Sequence, residues 1–396
     1  MATLLTVDEA RRLILERVTP LPSEPVPLAD AAGRVLAEAA RAAVDLPAFP
    51  SSAMDGFTLR AADAPGRFPV VARIAAGHPA ARPLAAGEAM AIATGGVVPE
   101  GADAVVPIEV VTEEAGLVEV PSVEPGAHVR PRGGDLRQGD VVVEHGTVLR
   151  PTELAALAAA GVAEVACARR PRVAVVTTGS ELRRPGEALA PGQIFESNGV
   201  MLAAALASAG AAVEAQVWVA DDETEHREAL ERGLEANVLV TSGGVSVGPH
   251  DLVRRIEQEL GVDEVFWRVA VKPGKPISFG VRGSTLVFGL PGNPVSTLVG
   301  FEVFVRPALL ALQGARDPGP PFQPGVLGSS VRRNAQRDEF LRARVRSDGD
   351  GVVLEPLTGQ ESHMIARAAA ADALVLAPRG DGELEAGSRV RYLLLR

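Results

Sequence analysis

The stretch Val238-Leu-Val-Thr-Ser-Gly-Gly-Val-Ser-Val-Gly-Pro-His-Asp251 decides how the chain is read. Its first three residues are an unbroken aliphatic run, too short for a helix and of the kind buried on both faces of a parallel sheet. The run passes straight into Ser242, Gly243, Gly244, Ser246 and Gly248, so the strand ends in a loop whose amides can approach a ligand with no Cβ in the way. Asp251 then opens a helical pattern of Leu252, Val253, Ile256 and Leu260, closed by Gly261. A strand, a glycine loop and an acidic helix start can hold a phosphate with its metal. Taken alone, the same loop reads equally well as a tight turn.

The pattern repeats on either side. Strand-like 173–176 leads to Thr177-Thr-Gly-Ser-Glu181, and 213–219 to Asp221-Asp222. A strand over 265–271 leads to Lys272-Pro-Gly-Lys-Pro276. Strands over 277–281 and 285–288 flank the turn Arg282-Gly-Ser284, and the second leads to Leu290-Pro-Gly-Asn-Pro294 and a helix reaching Leu312. Helices over 198–209 and 224–235 fall between strands, so the spacing predicts a parallel α/β sheet covered on both faces. Each polar cluster follows a strand, and in open α/β sheets ligands bind beyond the carboxyl ends of the strands. Five clusters on one edge are hard to dismiss as turns.

Before this region, Thr6 and Glu9 form a capping box ahead of an amphipathic helix, which the prolines at 20, 22, 25 and 27 end. A second helix is expected over 29–43, with Gly33 against it. The stretch from Asp45 to Phe57, rich in proline and small polar residues, is long for a connector. Asp55 precedes Gly56 in it, and an Asx-turn is the alternative to a functional role. Short β runs at 70–74, 89–93, 104–111, 118–120 and 141–143 predict a small all-β domain. Its loops at Thr94-Gly-Gly96 and Arg130-Pro-Arg-Gly-Gly-Asp135 could present amides and guanidinium groups, the second reading also as a solvated turn. Residues 152–160 predict a helix. Past a linker at 314–325, strands at 339–345, 352–354, 373–376 and 390–395 suggest a β-barrel, with Arg342 and Ser362-His363 as its candidates for a site.

A chain of 396 residues exceeds what one core usually serves, so two to four domains are expected. The single cysteine, Cys167, excludes a disulfide framework and a cysteine-rich metal site, and points to a reducing compartment. A net charge of -11 argues against general nucleic-acid binding. The acids at the N-terminus do not suit a signal peptide, and no run of about 18 or more uncharged apolar residues suggests a membrane span, so a cytoplasmic location is expected. His226, His250 and His363 read as satisfied surface or loop histidines rather than ligands.

Together, Ser52-Ala-Met-Asp-Gly-Phe57, Thr178-Gly-Ser-Glu-Leu182, Ser242-Gly-Gly-Val-Ser-Val-Gly248 with Asp251, Lys272-Pro-Gly-Lys-Pro276 and Gly289-Leu-Pro-Gly-Asn-Pro294 resemble the molybdopterin molybdenumtransferases, the family that includes the gephyrin E domain. The resemblance covers essentially the whole chain. It implies a multidomain α/β protein: N-terminal helices and linker at 1–44 and 145–171, an inserted β domain at 45–144, a central α/β domain at 172–314 and a C-terminal β-barrel at 326–396. It also implies a homodimer, with the site between the α/β domain of one subunit and the β domain of the other. The implied reaction inserts molybdate into adenylylated molybdopterin with Mg2+ and releases AMP, with possible contact with the molybdopterin adenylyltransferase. Related alternatives are that adenylyltransferase activity itself, or a gephyrin-like scaffold.

By motif, the resemblance implies Asp55, Glu181, Asp251, Lys272 and Lys275 as catalytic, with Glu181 and Asp251 holding Mg2+ directly or through water. Thr94, Asp135, Thr178, Asp221, Ser242, Gly243, Gly244, Ser246, Arg268, Pro291, Gly292, Asn293, Pro294, Arg342 and Ser362 are implied to bind substrate. Arg268 stands where some members have lysine, and Glu361 where glycine is common. In physical terms the two lysines would meet phosphate or molybdate as point charges. Pro291 and Pro294 would stiffen a loop in which Gly292 and Asn293 offer amides, although Pro294 also suits a plain helix start.

Overall fold

A computed structural model describes residues 4–244, 252–349 and 351–395. Ser246, His250 and Asp251 therefore lie outside the described residues. The α/β domain is built on a six-stranded sheet of β1 (Arg172–Thr178), β2 (Ala212–Val219), β3 (Val238–Ser242), β4 (Asp263–Trp267), β5 (Ser278–Arg282) and β6 (Thr285–Leu290), in the order β2-β1-β3-β6-β5-β4. β1 pairs in parallel with β2 and β3, and β3 with β6. β5 is antiparallel to both β6 and β4. The expected parallel sheet is thus corrected to a mixed one in which β5 alone runs backwards, because the two-residue turn Gly283-Ser284 between Arg282 and Thr285 can join only antiparallel neighbours. Helices Asn198–Ser208, Glu223–Gly233 and Leu252–Glu259 connect the strands, and aliphatic β3 is buried along its whole length.

Two further expectations are overturned here. The strand predicted over 265–271 breaks after Trp267, where Arg268 adopts a positive φ of 77°. Val271–Lys272 then leaves the sheet and pairs with Asp338 and Glu339 of the C-terminal domain. The helix predicted over 29–43 does not form. A 3-10 turn at Leu28–Asp30 and Gly33 at φ 71° precede a strand at Ala40–Arg41, which pairs with Val141–Val143. Alanine's helix preference loses to the returning chain, against which Leu36 packs beside Val143, Leu149, Val165 and Cys167. Val141–Val143 consequently lies outside the sheet of the β domain.

That sheet runs Ala104–Pro107, Gly56–Leu59, Ala89–Ile92, Gly66–Ile74, Leu117–Val120, Thr112–Glu114. It buries Phe57, Phe68, Met90 and Ile92. The first helix, Val7–Leu15, carries the expected capping box at Thr6 and Glu9, and buries Val7, Ala10 and Ile14 in the core of the α/β domain rather than in the linker region.

Pro294–Leu312 is one long helix with a π segment at Phe301–Val305. It is long and apolar enough to cross a membrane by composition, yet 72% of that window is buried in the protein and Glu302 pairs with Arg306 within it. It is a core helix. Five strands close the C-terminal barrel: Asp338–Asp348 pairs with both Gly351–Pro356 and Ala373–Ala377, and the circle continues through Gln323–Leu327 and Arg389–Leu394. The first of these in sequence, Gln323–Leu327, begins inside the stretch expected to be linker.

Candidate active site

β1, β3 and β6 end side by side at Thr178, Ser242 and Leu290. β4 runs with them, so residues 268–277 leave and re-enter the sheet at the same rim. Gly243 has a φ of 99°, and a Cβ on it would stand 2.6 Å from Thr178 Oγ1, so the loops after β1 and β3 touch only because glycine is there. Gly244, at φ 66°, lies as closely against Val253.

A cleft of about 340 Å³ opens at this rim, lined by Thr178, Glu181, Ser242, Gly292, Asn293 and Pro294 together with Glu196, Asn198 and His363. The loop after β6 is tied down through its carbonyls. Pro291 O accepts from Thr297 Oγ1 at 2.6 Å and Ser242 Oγ at 3.3 Å, Gly292 O from Asn198 Nδ2 at 2.8 Å, and Asn293 O from Thr297 N at 3.0 Å. The Gly292 and Asn293 amides have no acceptor among the described residues. Pro294 both stiffens the loop and starts the helix at N1, so its two readings coincide.

Glu181 faces the cleft with no ion pair among the described residues, its carboxylate folded over Gly179, where a Cβ would fall 2.6 Å from Oε2. Asp221 Oδ2 accepts from Ser180 N and Oγ at 3.2 and 2.8 Å, and Asp221 N donates to Ser180 Oγ at 3.0 Å, which locks the β1 and β2 loops together.

The cations differ from one another. Lys275 is exposed and has no ion pair among the described residues. Lys272, expected as a free point charge, instead places Nζ 2.8 Å from Glu339 of the barrel, a carboxylate only 8% exposed. Arg268 stacks on Trp267 at 3.7 Å, with Arg254 on the same ring at 3.9 Å. Arg342, implied to bind substrate, is enclosed by carbonyls of its own domain. It is 1% exposed, burial pulls its guanidinium below the ordinary arginine value, and it donates to the carbonyls of Met364, Gly359 and Glu361 at 2.6, 2.7 and 3.1 Å. The loop so held carries Ser362, whose Oγ accepts from Asn293 Nδ2 at 2.9 Å and whose carbonyl accepts from Val295 N. Glu361 therefore does not keep Ser362 away from the rim. His226 is buried in its helix with Nδ1 2.7 Å from Asp222 O, not at the surface.

Asp55 and Thr94 form a separate pair in the β domain, and Asp135 sits on a loop where its amide donates to Leu46 O at 3.0 Å. Asp55 Oδ1 accepts from Thr94 N at 2.7 Å and Oγ1 at 3.0 Å, and these bonds hold its carboxyl below the usual aspartate value. Ser51 and Ser52 pair with Val129 and Arg130, which brings the loop bearing Asp135 alongside. Asp45 fixes that loop by accepting from Arg132 Nε at 2.6 Å and Gln138 N at 2.8 Å. Among the described residues, none from 45–144 lines the α/β cleft of the same chain. Sequence reasoning passed over Glu196, Asn198 and Thr297, and the only local signal for the first two was Glu-Ser-Asn just ahead of a helix.

Three family profiles match in order along the chain. The MoeA N-terminal region (domain I and II) covers residues 5–161, a probable molybdopterin binding domain 174–311, and the MoeA C-terminal region (domain IV) 324–395. The chain is 37% identical over 402 residues to molybdopterin molybdenumtransferase 2 of Mycobacterium tuberculosis, covering 98% of each. It is 34% identical over 397 residues to the molybdopterin molybdenumtransferase of Haemophilus influenzae, again over 98% of each. The crystal structure of the molybdopterin biosynthesis MoeA protein of Pyrococcus horikoshii OT3 superposes with a TM-score of 0.85 at 29% identity, over 99% of this chain and 100% of that one. With relatives matched end to end, all three regions in the same order and Thr178, Glu181, Ser242, Gly292, Asn293 and Pro294 lining one cleft, the chain belongs to the molybdopterin molybdenumtransferase family.

Proposed function

We propose that the protein inserts molybdenum, supplied as molybdate, into adenylylated molybdopterin in a Mg2+-dependent reaction that releases AMP and the finished cofactor. The observation that carries this reading is the rim itself, where the Gly292 and Asn293 amides and the Glu181 carboxylate, without partners among the described residues, share one cleft, and the exposed Lys275 stands on the loop beyond the same edge. Two anionic substrates need fixed donors and cations at short range, and these are most effective where water is excluded. The Gly292 and Asn293 amides hold phosphate or molybdate oxygens, while Lys275 supplies the mobile positive charge. The positive field of Lys272 is offset by Glu339 beside it.

Mg2+ takes one or two protein oxygens and keeps most of its water, which suits Glu181 folded over the bare Gly179. Held there, the ion would neutralise phosphate charge; Asp251, the other proposed ligand, lies outside the described residues. Asp221 braces the loop that carries Glu181. Asp55, ionised and oriented by Thr94, is proposed to reach the cleft of a second subunit and order a water or accept its proton, with Thr94 and Asp135 beside it. The reading extends to a cytoplasmic homodimer that receives its substrate from the molybdopterin adenylyltransferase. The test is AMP release from adenylylated molybdopterin with Mg2+ present, with and without molybdate. AMP release that ignores molybdate, or adenylylated product formed from molybdopterin and ATP, would overturn the proposal.

A further inference from the structure

The cleft has an end at which an oxyanion would be repelled. Glu196 is only 8% exposed and lines the cleft. Its Oε1 accepts from Gly199 N at 2.6 Å, and its Oε2 receives no hydrogen bond among the described residues. Two residues on, Asn198 is 9% exposed. Its Nδ2 donates to Ser242 Oγ at 2.9 Å and to Gly292 O at 2.8 Å. A carbonyl can only accept, so these bonds fix the orientation of the amide, and they leave Oδ1 buried with no donor among the described residues. Asn198 Oδ1 is thus an unmet buried acceptor, which is costly, and the charged Glu196 lies at the same end of the cleft. Leu182, Ile194, Phe195 and Ile365 wall the cleft beside them with apolar surface, on which a flat ring can lie.

Resting on the function proposed above, we propose that Glu196 and Asn198 recognise the N–H edge of a 2-amino-4-oxopyrimidine ring, the pterin part of the substrate. The carboxylate meets the adjacent ring N–H and exocyclic amine, and the Asn198 carbonyl takes a remaining proton of the amine. The nucleotide's phosphates then lie toward Gly292 and Lys275.

The two halves of the claim are separable by ligand. Binding is measured by fluorescence for pterin and for lumazine, in which an oxo group replaces the 2-amino donor, and by calorimetry for AMP. Wild type should bind pterin at least about tenfold more tightly than lumazine, the scale of one charged hydrogen bond. Glu196→Gln keeps the Gly199 contact and should erase the preference with AMP affinity unchanged and thermal melting confirming the fold; Asn198→Ala should erase it as well. No preference in wild type, a preference that survives both substitutions, or a loss of AMP binding in Glu196→Gln would overturn the assignment. Because the readout is binding, failure of molybdate-dependent AMP release would count against the reaction and leave this result standing by itself.

Discussion

Two hydrogen bonds from Thr94, the amide first and the hydroxyl second, depress the pKa of the exposed Asp55 carboxyl. A carboxylate depressed in this way stabilises the fold above its unfolded pKa and loses that contribution as pH falls through the folded one. Asp55 is therefore fully ionised at neutral pH, and a loss of activity just below neutrality must have another source. An NMR titration of this carboxyl checks the point by midpoint: a value at or above that of an ordinary aspartate would be the wrong answer. Asp55→Ala should lower molybdate-dependent AMP release by about a hundredfold or more, the usual scale for a positioned acid or base. Nucleotide binding should persist, and loss of the proposed dimer would instead make Asp55 structural. Arg342 behaves oppositely, since its guanidinium is buried among carbonyls of its own domain. Arg342→Ala leaves those carbonyls unpaired and should cost about 3 kcal/mol or more in urea unfolding. A near-neutral result would refute its role as scaffold.

At the level of elements, the rim depends on loops that approach more closely than side chains would allow. Gly243→Ala adds a Cβ 2.6 Å from Thr178 Oγ1 at a φ of 99°. The strain should lower stability by about 1–3 kcal/mol, or move the loop and weaken substrate binding. A melting temperature and a nucleotide affinity both unchanged would show that the contact is not tight. The break between β4 and Val271–Lys272 has the same local character, because it lets one stretch serve two sheets and brings Lys272 to Glu339. This break was not legible in 265–271, whose residues all suit a strand. The partner that draws Val271–Lys272 away is an edge of the barrel nearly seventy residues later. The absent helix at 29–43 has the same cause: its alanines favour a helix, and a distant return of the chain outweighs that preference.

Across the whole molecule, acids and donors fall into two groups, one at the α/β rim and one around Asp55 in the β domain, and no residue of the second lines the cleft of its own chain. If a homodimer joins them, Asp55→Ala and Glu181→Ala subunits, each inactive alone, should recover about a quarter of wild-type AMP release when mixed, because half the dimers are hybrid and each hybrid holds one intact site. No recovery despite confirmed hybrid formation would place the whole site within one chain. The sequence by itself determined the strands, the glycine and proline loops and most of the polar residues at the rim, since hydrophobic period, glycine and proline act over a few neighbouring residues. Only the tertiary structure decided which of those residues are free to meet a ligand. Among the described residues Lys275 stands unpaired while Lys272 meets Glu339, Arg342 is enclosed while Ser362 reaches Asn293, and Asn198 is left with an unanswered acceptor. Each outcome depends on what a distant segment places within about 3 Å, the range over which a hydrogen bond is made or lost.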